Sequence, residues 1–485
     1  MGELAPADAD MFWRSRHRVN DQFLLYCFSL RPTSLVERSR DQTPGGAGDR
    51  RRVLDSLRRR AEAVDELHLR VAPAPADLAF PRWCPAPIDD DAFVVHDGAD
   101  TWDRCRAQVA GLLTEGLEAT VRPWRLHLLG PSTGAPCADG PVWVVVFQVS
   151  HALADGRGAS ALARALFGGS VPPGAVPAAR PPGVLAAVGG ALQVPVRVAA
   201  GLGLGLLSWS GDGPRTAGPD PLPASVFNRP AGPRRRIDVI VTDVDTLRAA
   251  AGGDARRPAV TVAFLSVLAD VLSECLGDAA PELAVELTVG HSLAAGPGPP
   301  DRRWGSLRWL SERSPSTELR SHESKPPTKK RSVSQPRNDF HNVTIRLRAD
   351  LEFPERVAAV AAEIADARAG DRRSGLAAWA QRRAAEITPP VLRALAARLS
   401  ATGEAPSYVA GATVVSSVNR GPADLTLDGG EVLFTAGFPA LSAAHAMTIG
   451  LHGLGSTVTI SVTSDPDAVP DAASVIDLLT KAISP

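Results

Sequence analysis

His151 stands where a strand-like run ends and a helix-like run begins: VWVVVFQV (142–149), then SHALADGRG (150–158), then ASALARALF (159–167). An imidazole has an ordinary pKa of about 6.5, so its neutral form can take a proton from a hydroxyl or amine near neutral pH. It needs an orienting partner on its other ring nitrogen. Asp155, four residues on, offers two roles. It can hold the imidazole directly, as in a catalytic triad. If the turn points the two side chains apart, it can instead cap the following helix or pair with an arginine. Gly156 permits backbone angles barred to other residues. A His-x3-Asp-Gly pattern arises by chance in roughly one chain of this composition in fifteen. The motif alone therefore does not separate a catalytic turn from an ordinary strand-to-helix connection.

Other chemistries find less support. There is no HExxH spacing and no nearby cluster of carboxylates or thiols, so no metal site is expected. No GxxxxGKS phosphate cradle occurs. The five cysteines (27, 84, 105, 137 and 275) contain no CxxC pair, which argues against structural zinc or a disulfide framework and for a reducing cytoplasm. A formal net charge of -1 argues against nucleic acid as a partner. His127, His445 and His452 read as structural histidines, Trp124 as core packing, and Arg234–Arg236 as a strand start or solvated face.

The elements that position His151 follow from periodicity. A chain of 485 residues suits two or three domains. DQFLLYCFSL (21–30), RLHLLG (125–130) and VWVVVFQV read as strands, the last apolar on both faces as a buried central strand is. RRVLDSLRRRAEAV (51–64) and WDRCRAQVAGLLTEGL (102–117) read as amphipathic helices. In the second half, RRIDVIVTDVDTLRAAA (235–251) reads as strand then helix and VTVAFLSVLADVLSECLG (260–277) as an apolar helix. LAVELTVGHSL (283–293), HNVTIRLRADL (341–351), ATVVSSVN (412–419) and STVTISVTS (456–464) read as further strands. The expectation is an α/β (α+β) fold: an N-terminal domain over 1–175, a crossover linker with an apolar helix over 176–226, and a C-terminal domain over 227–485.

Two stretches stand apart. GVLAAVGGALQVPVRVAAGLGLGLLSW (183–209) carries Gln193, Pro195 and Arg197 among its apolar residues. It reads as a buried crossover helix, with a helix lying on a membrane or lipid-droplet surface as the rival and a transmembrane span rejected. The N-terminus lacks the apolar core of a signal peptide. Residues 302–337 hold ten basic residues against three acidic, with three of the chain's four lysines. They read as a disordered surface insertion. A shifted coding frame would also produce so abrupt a change, and a basic patch for anionic lipid is the third reading.

The stretch 121–168 around His151 resembles the wax ester synthase/diacylglycerol acyltransferase (WS/DGAT) family of bacterial O-acyltransferases, within the CoA-dependent acyltransferase superfamily. LAPADADMFW (4–13), FPRWCPAPIDDDAFVVH (80–96), FNRPAGPRRRIDV (227–239), VVSSVNRGPADLTLDGGEV (414–432) and GLHGLGSTVTISVTSDPDAVPD (450–471) are similar to further segments of that family.

That resemblance implies two chloramphenicol-acetyltransferase-like domains with mixed sheets and an active-site tunnel between them. It implies an O-acyltransferase that forms triacylglycerol or wax ester. His151 would be the general base, deprotonating a diacylglycerol or fatty alcohol that attacks acyl-CoA, and Asp155 and Gly156 the structural end of the motif. Acyl-CoA would be a co-substrate, with no metal or prosthetic group. The expected place is the cytoplasm, with peripheral contact to the inner face of the plasma membrane or lipid droplets as an extension.

Three positions depart from the family's pattern. Ser150 replaces the first of its two adjacent histidines. Its Gly-Asn pair appears as His341-Asn342, leaving Asn342 as a channel or support residue. The helix at 260–277 lacks its Asn-Asp. Two alternatives therefore stand: an acyltransferase of the superfamily with another acceptor or a carrier-protein donor, and an inactive lipid-binding homologue.

Overall fold

The computed structural model describes residues 2–30, 46–168, 180–209, 221–252, 257–277, 282–290, 336–370, 383–384, 386–401 and 406–484. Of the expected insertion at 302–337, only Pro336 and Arg337 fall among them.

The N-terminal part runs α1 (Pro6–Ser15), β1 (Gln22–Ser29), α2 (Ala47–Glu62), β2 (Leu69–Ala72), β3 (Arg82–Pro85), β4 (Phe93–His96), α3 (Trp102–Leu112), β5 (Trp124–Ser132), β6 (Val142–Val149) and α4 (Gly156–Leu166). The long helix α5 (Val184–Trp209) follows. Next come β7 (Leu222–Pro223), β8 (Arg236–Asp243), α6 (Val244–Ala250), α7 (Val260–Leu276), β9 (Ala284–Gly290), β10 (Phe340–Arg346) and α8 (Phe353–Gly370). The chain ends with α9 (Pro390–Ala401), β11 (Tyr408–Val409), β12 (Val414–Asn419), β13 (Thr426–Leu427), β14 (Gly430–Gly437), β15 (Met447–Leu454), β16 (Thr457–Ser464) and α10 (Ala472–Ile483).

Two six-stranded sheets organise these elements, in the orders β13-β14-β1-β6-β5-β4 and β10-β9-β12-β15-β16-β8. Both are mixed: β4 runs parallel to β5, and β12 runs parallel to β9 and β15. β6 sits inside the first sheet with all eight residues buried. Its β-branched run suits a strand covered on both faces. β16 pairs its full length with both β15 and β8. The apolar faces of α6, α7, α8 and α10 cover the second sheet in one cluster, with Phe264, Leu268, Leu272, Val360, Val475 and Leu479 at its centre.

The sheets do not divide the chain at residue 227. After β12 the chain leaves the second sheet, adds β13 and β14 to the first, and returns as β15. β14 pairs antiparallel with β1, Leu25 opposite Ala436. Arg164 of α4 fastens this crossing: its guanidinium donates to the carbonyls of Arg420 (3.3 Å) and Pro422 (2.9 Å) and pairs with Asp424 at 2.5 Å.

α5 corrects another expectation. It is not a buried crossover helix. Val184–Leu204 is long and apolar enough to cross a membrane by length and composition alone, yet only 6% of it is buried.

Candidate active site

β6 delivers the chain to His151, and the turn that follows is held by its own backbone. The Ser150 N–H donates to Pro123 O (2.8 Å), and the Leu153 N–H donates back to Ser150 O (2.9 Å). The Ser150 side chain is 1% exposed and its Oγ accepts the Ala152 N–H at 3.3 Å. Ser150 thus shapes the turn from the inside.

Asp155 is the N-cap of α4: its Oδ1 accepts the N–H groups of Arg157 (3.1 Å) and Gly158 (2.8 Å). The carboxylate satisfies donors that the helix start leaves free, and it does not orient His151. Gly156 is not among the glycines with positive φ. Its small size is used differently, because a Cβ there would lie 3.3 Å from Val418 Cγ2. Val418 lies near the end of β12 in the second sheet, so Gly156 lets the start of α4 approach that sheet closely.

The partner of His151 comes from 187 residues away. His151 Nδ1 lies 3.4 Å from Asn338 Oδ1. The Asn338 Nδ2 group donates to the His151 carbonyl oxygen and to Asp8 Oδ1 (3.1 Å). Those two acceptors fix which way the amide points, so its oxygen faces Nδ1. Nδ1 then carries the proton, and Nε2 keeps the free lone pair.

Asn338 is itself anchored. Asp8, from the first turn of α1, accepts the backbone N–H of Asn338 at 2.9 Å and that of Arg337 at 3.0 Å. Arg337 reaches the same turn, its Nη1 donating to Leu153 O at 2.8 Å. Phe340 closes one side, its ring centroid 5.5 Å from that of His151. Asp8 and Asn338 are 2% and 4% exposed.

Burial sets the electrostatics. It pushes His151 down to about 4, opposed by the Asn338 hydrogen bond and reinforced by the positive charge of Arg14. It pushes Asp8 up to about 6, opposed by the donors of Arg337 and Asn338. His151 is therefore a neutral imidazole across the physiological range.

The structure does not bring Asn342 to His151. It lies opposite Thr288 on β10, where its Oδ1 accepts Thr288 Oγ1 (3.0 Å) and its Nδ2 donates to Glu286 (3.1 Å). Asn338, four residues earlier, makes the contact. Sequence reasoning missed Asn338 and Asp8. Asp8 lies in LAPADADMFW, where the resemblance marks no site residue. Asn338 borders the anomalous stretch 302–337.

A second buried polar chain runs through the first sheet. His96 Nε2 meets His127 Nδ1 at 3.0 Å, and His127 Nε2 meets Gln148 Oε1 at 3.0 Å. Gln148 Nε2 donates to Asp21 at 2.9 Å. Burial lowers His127 to about 4 and raises Asp21 to about 6. Among the described residues no group of three or more His, Cys, Asp or Glu side chains is arranged to hold a metal.

Comparison with known proteins agrees with this architecture. Residues 338–484 match the WS/DGAT C-terminal domain. No curated protein sequence matches the chain. Among solved structures, the chain is similar to the wax ester synthase/diacylglycerol acyltransferase from Marinobacter aquaeolei VT8. The TM-score is 0.59 at 16% identity, covering 99% of this chain and 98% of that one. The starter condensation domain of rhizomide synthetase aligns with TM-score 0.49 at 13% identity, covering 99% and 93% of the two chains. The condensation domain of the Monacolin K polyketide synthase aligns with TM-score 0.49 at 11% identity, covering 99% and 95%. The C-terminal part of the chain, residues 338–484, thus matches the WS/DGAT C-terminal domain, and the fold of the whole is similar to that of the Marinobacter wax ester synthase/diacylglycerol acyltransferase.

Proposed function

We propose that the protein transfers an acyl group from acyl-CoA to the hydroxyl of a diacylglycerol or long-chain alcohol, with His151 as general base. The observation that carries this reading is the fixed tautomer of His151. Nδ1 is engaged by Asn338 Oδ1 at 3.4 Å, so the neutral ring offers Nε2 as the proton acceptor.

In the proposed step, Nε2 takes the hydroxyl proton while the alcohol oxygen attacks the thioester carbonyl. The new C–O bond forms, and a tetrahedral oxyanion carries the charge. Its collapse breaks the C–S bond and expels the CoA thiolate, which recovers the proton from the imidazolium. Every atom and charge balances within substrate and imidazole. A ring held neutral down to about pH 4 is always in the accepting form, and the imidazolium it becomes is a strong acid poised to return the proton. Asn338 and Asp8 act as positioning residues that hold the ring.

The test is direct. Purified protein is supplied with labelled palmitoyl-CoA and, separately, diacylglycerol, hexadecanol or no acceptor. Labelled triacylglycerol or wax ester supports the reading. CoA release with no ester from any alcohol contradicts it.

A further inference from the structure

Among the described residues two arginines are buried, Arg356 and Arg420, and they differ in one respect. Arg356 is neutralised: its guanidinium pairs with Asp270 at 2.7 Å and donates to the carbonyls of Ser266 (3.0 Å) and Leu351 (2.9 Å). Arg420, 4% exposed, meets no carboxylate among the described residues. Its guanidinium makes a 3.4 Å hydrogen bond to the Tyr26 hydroxyl and lies 5.5 Å from the centroid of that ring. Its Nε has no partner. The backbone is pinned on both sides: the Arg420 N–H donates to Gly453 O at 2.8 Å, and the carbonyl accepts Arg164.

The side chain enters the seam between the two sheets. A Cβ on Gly437 of β14 would lie 2.5 Å from Arg420 Nη2 and 2.6 Å from His452 Nε2. Arg420 and His452 of β15 therefore converge on one point, and glycine there makes room for both. His452 is as buried as Arg420, and its Nδ1 has no partner. Burial, reinforced by the Arg420 charge, holds this imidazole far below its ordinary range, so it is neutral.

β16 lines the same seam. Its Val458, Ile460 and Val462 pack in the helix-covered cluster, which leaves Thr459, Ser461 and Thr463 on the other face. Thr459 stands opposite His452. Ser461 Oγ donates to Gly437 O, from one sheet to the other. The buried hydroxyls of Thr459 and Thr463 have no partner. Thr463 also lines a surface cleft with Asp21, Arg235 and Phe438, so the row of hydroxyls reaches the outside.

Buried polar atoms almost always find partners. Water would satisfy the two hydroxyls and the imidazole but leave the guanidinium charge uncompensated, which is strongly unfavourable in the interior. An anion satisfies both, and a carboxylate matches the planar fork of a guanidinium. We infer that Arg420, with His452 and Thr459 beside it, forms an interior site for a carboxylate, reached from the cleft along the β16 hydroxyls. The carboxylate is either a free small acid or the far end of a longer chain. The site is separate from His151 and does not rest on the proposed reaction.

The test is thermal unfolding of the full-length protein at neutral pH and fixed ionic strength, with sodium formate or suberate replacing a bulky sulfonate salt. A bound carboxylate stabilises the native state by mass action, so the wild-type midpoint should rise, saturably, by about 2 °C or more. A rise with formate marks a free-acid site, and a rise with suberate alone marks recognition of a chain end. Arg420→Met keeps the apolar stem and removes the charge, and its midpoint should not respond. Thr459→Val should respond more weakly than wild type. Bromide reads the wild type without any substitution: in crystals, its anomalous peak should lie within about 3.5 Å of the guanidinium. Equal responses of wild type and Arg420→Met would overturn the inference. So would a wild type indifferent to both carboxylates, or a guanidinium without bromide.

Discussion

Asn338 Oδ1 faces His151 Nδ1 at 3.4 Å, while the same amide's nitrogen donates to the His151 carbonyl and to Asp8. One side chain thus sets both the ring tautomer and the position of the backbone that carries it. Replacing Asn338 with alanine removes the acceptor at Nδ1 and frees the ring to take the wrong tautomer. The expected effect is a loss of about tenfold to a hundredfold in kcat with KM little changed. Steady-state kinetics on the variant check it, and a rise in KM with kcat unchanged would contradict it.

Asp8 makes a prediction with a definite sign. Its carboxyl is raised from 3.8 to about 6. The native state therefore holds a proton that the unfolded chain releases between about pH 4 and 6, and stability declines across that window. Above about pH 6 the ionised buried carboxylate costs up to about 3 kcal/mol. Asp8→Ala removes that cost but strands the N–H groups of Arg337 and Asn338. The variant should be more destabilised, relative to wild type, at pH 4 than at pH 7.5. Thermal unfolding at both values checks this, and a larger deficit at pH 7.5 contradicts it.

The same groups shape activity against pH. His151 is held down to about 4 by burial and Asp8 up to about 6. The acid limb of kcat/KM should lie at or below about 6, under the ordinary histidine value of about 6.5. A limb at about 7 would mean a solvated imidazole. Titrating kcat/KM from acid to neutral pH distinguishes the two.

Asp155 and Gly156 should separate in their effects. Asp155→Ala removes a helix cap and costs about 1 kcal/mol of stability, read by urea unfolding, with catalysis largely retained. Gly156→Val forces a branched side chain against Val418, already 3.3 Å from a single added carbon, and should lower kcat sharply. Equal losses of activity in both variants would return Asp155 to a direct role at the ring.

Local chemistry was legible in the sequence and distant chemistry was not. The buried run VWVVVFQV, the turn at His151 and the capped helix lie within one short stretch, so periodicity and residue type suffice to read them. Asn338 stands 187 residues from His151, and Asp8 stands 330 from Asn338. No spacing rule links such positions, and the resemblance pointed to Asn342 instead. The strand β14 shows the same limit: only the closed fold shows that it joins the first sheet beside β1. For α5 the sequence displayed its apolarity and Arg197. It could not show that the close approach to the body uses Gly190, which leaves the leucines facing out.

The central claim rests on His151, and its most direct test is ester formation from labelled palmitoyl-CoA and diacylglycerol or hexadecanol by wild type and by His151→Ala. The imidazole is expected to supply a hundredfold or more of the rate, within the range of about 10²–10⁴ for a positioned general base. The variant should therefore show a collapse in kcat while remaining folded by thermal unfolding. Equal product from the two proteins would show that His151 is not the base.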